Sequence, residues 1–167
     1  MDMRKLFALV IIGLPIVALA ASNPDESFFK DAAQAGMAEV AAGRTAQQKG
    51  SSQAVKDFGA MMVKDHSAAN AKLKKIAVAK GVELPDSPSM MQKAMNKKTD
   101  LHSGDSFDKD YIQGQIKAHK DTIELLQKEI DGGKDPDAKA FATETLPKVK
   151  AHLDKITKIA ADAGVSA

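Results

Sequence analysis

Three of the chain's four histidines sit where a helix would bury them. His66 shares a stripe with Val55, Phe58, Met62, Ala69, Leu73 and Ile76. His119 lies among Ile112, Ile116, Ile123, Leu126 and Ile130, and His152 among Ala138, Phe141, Ala142, Thr145, Val149, Ile156 and Ala160. Each stripe has the three-and-four spacing of one helix face. A fourth stretch places Glu39 on a face of small residues, with Ala35, Gly36, Gly43 and Ala46. Imidazole and carboxylate are ligands for zinc, copper(II) or iron(II). One inward polar residue per helix, each near mid-helix, predicts a four-ligand cluster of Glu39, His66, His119 and His152. Asp65 is one residue off its stripe and is placed to meet a hydrogen-bonding partner behind the ligands or solvent. Met62, one turn before His66, is a soft-ligand candidate for copper whose plainer reading is core packing. Met90, Met91, Met95 and His102 gather in a connecting segment, a pattern that would let an exported protein collect copper at its surface.

A metal-free reading stands beside this one. A buried histidine needs only a hydrogen-bonding partner, so the same cluster could fix helix register in an envelope or stress-related structural or interaction protein. Glu39 argues against a bare core, because an unpaired carboxylate is costly there and a metal or a histidinium would satisfy it.

Four long helices are needed to hold these residues. The first runs from about Ser27 to Lys49, after cap candidates Asn23, Asp25 and Ser27. Gly50-Ser51-Ser52 turns the chain directly into the second, which ends at Gly81, so these two are antiparallel neighbours. Pro85 and Pro88 lie in a long connection from Val82 to about Asp105, with room for a short helix over Ser89–Leu101. The third runs from Ser106 to Asp131-Gly132-Gly133. The fourth runs from Asp135-Pro136, a cap followed by proline at the first helical position, to Gly164. Pro147 inside it removes a backbone hydrogen bond and predicts a kink.

The chain repeats itself. Ser27-Phe28-x-Lys30-Asp31-x-x-Gln34 recurs as Ser106-Phe107-x-Lys109-Asp110-x-x-Gln113, 79 residues on. Lys56-x-Phe58 recurs as Lys139-x-Phe141, and Lys75-Ile76-Ala77 with Gly81-Val82 as Lys158-Ile159-Ala160 with Gly164-Val165, both 83 residues on. Two helical hairpins of unequal length, related by an approximate two-fold axis and joined by a crossover containing a short helix, make an all-α, ferritin-like four-helix bundle. The carboxylate-rich di-iron site of such bundles is not expected. It uses Glu-x-x-His pairs, and the residues three before His66, His119 and His152 are Val63, Ile116 and Val149.

The first residues read as a secretory signal. Arg4 and Lys5 precede an uncharged run from Leu6 to Leu19, and Ala18-Leu19-Ala20 offers small residues for cleavage after Ala20. Pro15 interrupts the run, which is shorter than the ~20 residues a bilayer span needs. The expected product is a periplasmic domain over residues 21–167, without an integral span after cleavage. Lacking cysteine, it can be neither a disulfide scaffold nor a thiol-anchored lipoprotein. A formal net charge of +2, with no block of like charge, offers no footprint for nucleic acid. No nucleophile constellation, phosphate-cradling loop or zinc-protease motif is present. Nothing in the sequence names a substrate or a protein partner.

The strings SFFKDAAQAGMAEV, VKDFGAMMVKDH, FDKDYIQGQIKAH and FATETLPKVKAH, in this order, resemble the successive signatures of the domain of unknown function 4142 family. The resemblance covers essentially the whole mature chain. It implies an exported bacterial protein grouped with ferritin-like bundles. The family's recurring Glu, Asp-His, His and Pro…His positions correspond to Glu39, Asp65 with His66, His119, and Pro147 with His152. No established activity comes with it. An outer-membrane label does, although nothing here reads as barrel strands or an anchor.

Overall fold

The structure, a computed structural model, describes residues 23–166. The signal segment and its cleavage point after Ala20 lie outside them. The described residues form five helices and no strand: α1 (Glu26–Lys49), α2 (Gln53–Ala79), α3 (Met90–Asp100), α4 (Gly104–Gly132) and α5 (Pro136–Asp162). The caps behave as their residue types require. Ser52 accepts the Val55 amide, Ser89 and Gln92 form a reciprocal capping box, and Asp135 accepts the amides of Asp137 and Ala138 ahead of α5. Relative to the expected bounds, α4 begins earlier, at Gly104 instead of Ser106. α5 continues unbroken through Pro147, whose missing N–H leaves the Thr143 carbonyl without its helical partner.

Two apolar clusters fix the helix directions. One gathers Phe28 and Phe29 from the start of α1, Leu73 and Ala77 from the end of α2, Leu126 from late in α4 and Phe141 from the start of α5. The other gathers Ala46, Val55, Phe58, Phe107, Tyr111, Ile156 and Ala160 from the opposite helix ends. Hence α1 and α5 point one way and α2 and α4 the other. α1 packs on α2, α4 on α5, and the hairpins meet through α1 on α4 and α2 on α5. Because α2 and α4 are parallel, the chain must travel the length of the bundle between them, as the long connection predicts. α3 does this along the α1–α4 seam, held by Asn96 Nδ2 donating to the Ala38 carbonyl at 3.1 Å and by Lys49 bonding Asp100.

The repeat is real in three dimensions. Asp25, at the start of α1, accepts the backbone amides of Lys134 and Asp135 in the α4–α5 turn, at 2.7 and 2.5 Å. Asp108, near the start of α4, accepts those of Ser51 and Ser52 in the α1–α2 turn, at 2.8 and 2.7 Å. Donors and acceptors are both related by 83 residues, so each hairpin's first helix clasps the turn of the other. Gly81 and Gly164 also match, with φ of 68° and 65°. In each case the following valine amide returns five residues to a helix carbonyl at 2.9 Å, a Schellman close that glycine permits without strain. The 79-residue recurrence at the helix starts is therefore displaced by one turn. The extra length of the second hairpin lies at the beginning of α4, ahead of Asp108.

Candidate metal centre

Between the two apolar clusters lies a polar belt. His66 from α2, His119 from α4 and His152 from α5 are all buried there, His119 at 1% exposure. One ring nitrogen from each lies within 4.8 Å of those of the other two, and the ring centroids are 5.6 to 5.9 Å apart. The stripes put them there: each histidine occupies a core position whose apolar neighbours belong to one cluster or the other.

Hydrogen bonds fix which nitrogens face inward. His119 Nδ1 is 2.8 Å from the Gln115 carbonyl, which can only accept, so Nδ1 carries the proton and Nε2 holds the lone pair. His152 Nε2 is 3.0 Å from the Asp65 carboxylate, so its lone pair is on Nδ1. His119 Nε2, His152 Nδ1 and His66 Nε2 are all buried without a hydrogen-bonding partner. Holding one nitrogen by a carbonyl or carboxylate while the other is free is how proteins orient metal-binding imidazoles. A metal bound at the usual ~2.0–2.1 Å would draw the nitrogens to about 3.3 Å of one another, which small side-chain rotations can supply.

Burial favours the neutral form of His66 and of His152. Burial first, then the other two histidines, pushes His66 down to about 3, with Asp65 opposing. Burial likewise lowers His152 against the pull of Asp65. Neutral imidazole is the form that ligates.

Glu39 is buried in the same belt but stands outside the three-histidine grouping. Burial raises its carboxyl above the ordinary 4.5, opposed by His119 and by a hydrogen bond with Gln115. Its Oε2, the Gln115 Oε1 and the Tyr111 hydroxyl are all buried and unpartnered. Tyr111 is close enough for the Glu39 charge to add to the burial that pushes its phenol well up. Met62 is fully buried in an apolar cluster, as packing requires. Met90, Met91 and Met95 are exposed on α3, and His102 pairs with Asp110 at 2.5 Å, away from the centre.

A family model described as a domain of unknown function (DUF4142) matches residues 17–159. The chain belongs to that family. No curated protein and no solved structure matches it. In this DUF4142 chain the glutamate and the three histidines of the four sequence signatures all reach one belt of the bundle. Asp65, off the stripe, takes the outer nitrogen of His152. Gln115 and Tyr111 complete the belt without any sequence signal of their own beyond helical register. Gln115 precedes His119 by one turn and Tyr111 precedes Gln115 by one turn, so all three share a face of α4.

Proposed function

We propose that this protein is an exported, periplasmic bundle that holds a transition-metal ion on His66, His119 and His152, with Glu39 the nearby carboxylate that completes the ligand set. One observation carries the reading. Three buried imidazoles converge with unpartnered ring nitrogens, and each such nitrogen in a metal-free core costs about 1–3 kcal/mol. Three nitrogens and one oxygen suit zinc, copper(II) or iron(II). The single long crossover supports a ferritin-like assignment of the bundle, with this donor set in place of a di-iron one. Export rests on the pattern of Arg4, Lys5, the apolar run and Ala20, and the intact mass of the periplasmic protein should begin at Ala21. Among the described residues no helix is long and apolar enough to cross a membrane.

The test is a thermal melt of demetallated protein with zinc or copper added. An ion present at one hundred times its Kd adds about 2.7 kcal/mol to the folded state. Wild type should gain melting temperature at pH 7.5 and lose that gain only in acid, below the ordinary histidine range, because burial lowers His66 to about 3 and lowers His152 as well. His119→Ala should show no gain. Destabilisation by His119→Ala together with no metal effect on wild type would leave the belt as a register device.

A further inference from the structure

Between α1, α3 and α4 runs a groove of about 590 Å³, and its lining includes both Glu39 and Gln115. We propose that this groove is the route by which a divalent cation reaches the three histidines, entering past Gln115 and Glu39, the latter then staying with it as the fourth ligand. The inference rests on the metal-binding reading above and adds the path to it.

Three independent features point this way. The first is the pair of acceptors. Glu39 and Gln115 are 6% and 4% exposed, and Glu39 Oε2 and Gln115 Oε1 have no partner in the protein. Buried oxygens that line a groove and lack a donor are suited to a cation. Both residues also adjoin His119: its Nδ1–H is held by the Gln115 carbonyl, and its ring acts on the Glu39 carboxyl. An ion held by these oxygens is therefore beside the first of the three imidazoles.

The second feature is charge. Asp31, Asp110 and Asp121 line the groove with Glu39, against Lys98 and Lys117, and Lys117 is already paired with Asp121 at 2.5 Å. Asp110 is likewise held by His102, which leaves Asp31 and Glu39 against Lys98, a small excess of carboxylate that favours cations.

The third is Gly114. Glycine inside a helix weakens it, and it is usually explained by a close neighbour. Gly36, Gly43 and Gly59 have one each, since an added Cβ would lie 2.0 Å from Asn70 Oδ1, 2.6 Å from the Gly59 carbonyl and 2.7 Å from the Gly43 carbonyl. A Cβ on Gly114 meets nothing within 4 Å. Gly114 lines the groove next to Gln115. Packing gives no reason for it, and an open passage does. On the opposite face Asp65 is engaged by His152 across the α2–α5 seam.

The test is stopped-flow mixing of the demetallated protein with Co²⁺, read by its ligand-field absorption. An obstructed route slows entrance and exit alike and leaves the equilibrium untouched. Gly114→Leu should therefore lower the association and dissociation rates together by about tenfold, with Kd unchanged, and Gly114→Ala should change them by less than about threefold. Glu39→Gln should slow association and weaken its dependence on ionic strength. Gln34→Trp, which narrows the same groove from α1, gives the second reading should Gly114→Leu fold poorly. Wild-type rates in both obstructed variants would overturn the route alone. No Co²⁺ uptake by wild type would overturn the metal site and the route with it.

Discussion

Seven residues before the α1–α2 turn glycine, and nine after it, stand Gly43 and Gly59, whose backbones meet so closely that neither tolerates a Cβ. The same positions of the α4–α5 hairpin, counted from Gly133, hold Leu126 and Ala142, both in an apolar cluster. Four residues before the turn glycine the contrast reverses. The first hairpin has Ala46, fully buried, and the second has Glu129. There burial, the Asp25 carboxylate and a hydrogen bond with Asp25 push the Glu129 carboxyl up to about 7. Both turns are clasped by an aspartate from the other hairpin, so the clasps are common to the two and the seams are not. Backbone amides at a turn demand the same acceptor whatever surrounds them. Side-chain packing is free to diverge, and one clasp has acquired an acid that the other lacks.

The largest test of this contrast is at the seams. Gly59→Leu drives a side chain into the Gly43 carbonyl and should cost about 3 kcal/mol or more in urea unfolding. Ala142→Gly, at the matching position, should cost only about 1–2 kcal/mol from the lost methyl and helix propensity. A smaller loss at Gly59 would mean that the two seams are packed alike.

The clasps come next. Asp108→Ala leaves the Ser51 and Ser52 amides without their carboxylate and should cost about 2–3 kcal/mol. Asp25→Ala removes the same two bonds but also the charge that presses on Glu129, so its cost at pH 8 should be about half as large. Equal losses would show that Glu129 does not burden its clasp.

The smallest effect is the most particular. Glu129 titrates near 7 when folded against an ordinary 4.5. The folded state therefore keeps a proton that the unfolded chain gives up, and this group's stabilisation, complete below about pH 4.5, is lost as pH rises to 7. His66 has the opposite sign. Its folded value of about 3 lies below the ordinary 6.5, so its stabilisation is complete above 6.5 and is lost as pH falls. In metal-free wild type the two slopes oppose one another between about pH 4.5 and 6.5. Glu129→Gln removes one of them, and its melting temperature should drop more steeply on acidification by a few degrees. An unchanged pH profile would remove Glu129 from the comparison.

The helices and the histidines were legible in the sequence for one reason: a helix that buries a stripe buries whatever polar residue sits on it. That is why His66, His119 and His152 fell on the core face, and why Glu39 did. The long crossover was legible from Pro85, Pro88 and the length of the segment. The clasps were not. Asp25 read as a local cap, and its partners are 109 and 110 residues away. Nothing local marks Asp108 either, because its acceptors are used by a turn that only tertiary packing brings near. The position of Glu39 outside the histidine grouping depends on side-chain reach, which mid-helix depth alone does not resolve.

The polar belt also divides how the molecule can come apart. With an apolar cluster at each end and unpartnered groups between, the four long helices should open as two cooperative units in place of one. Amides near Phe29 and Phe141 should then open with one unit and those near Phe58 and Phe107 with the other, each set with its own hydrogen-exchange free energy. An ion held by the proposed ligands on α2, α4 and α5 would tie the units together. Its arrival would be visible as two classes of amide merging into one, long before any change in shape.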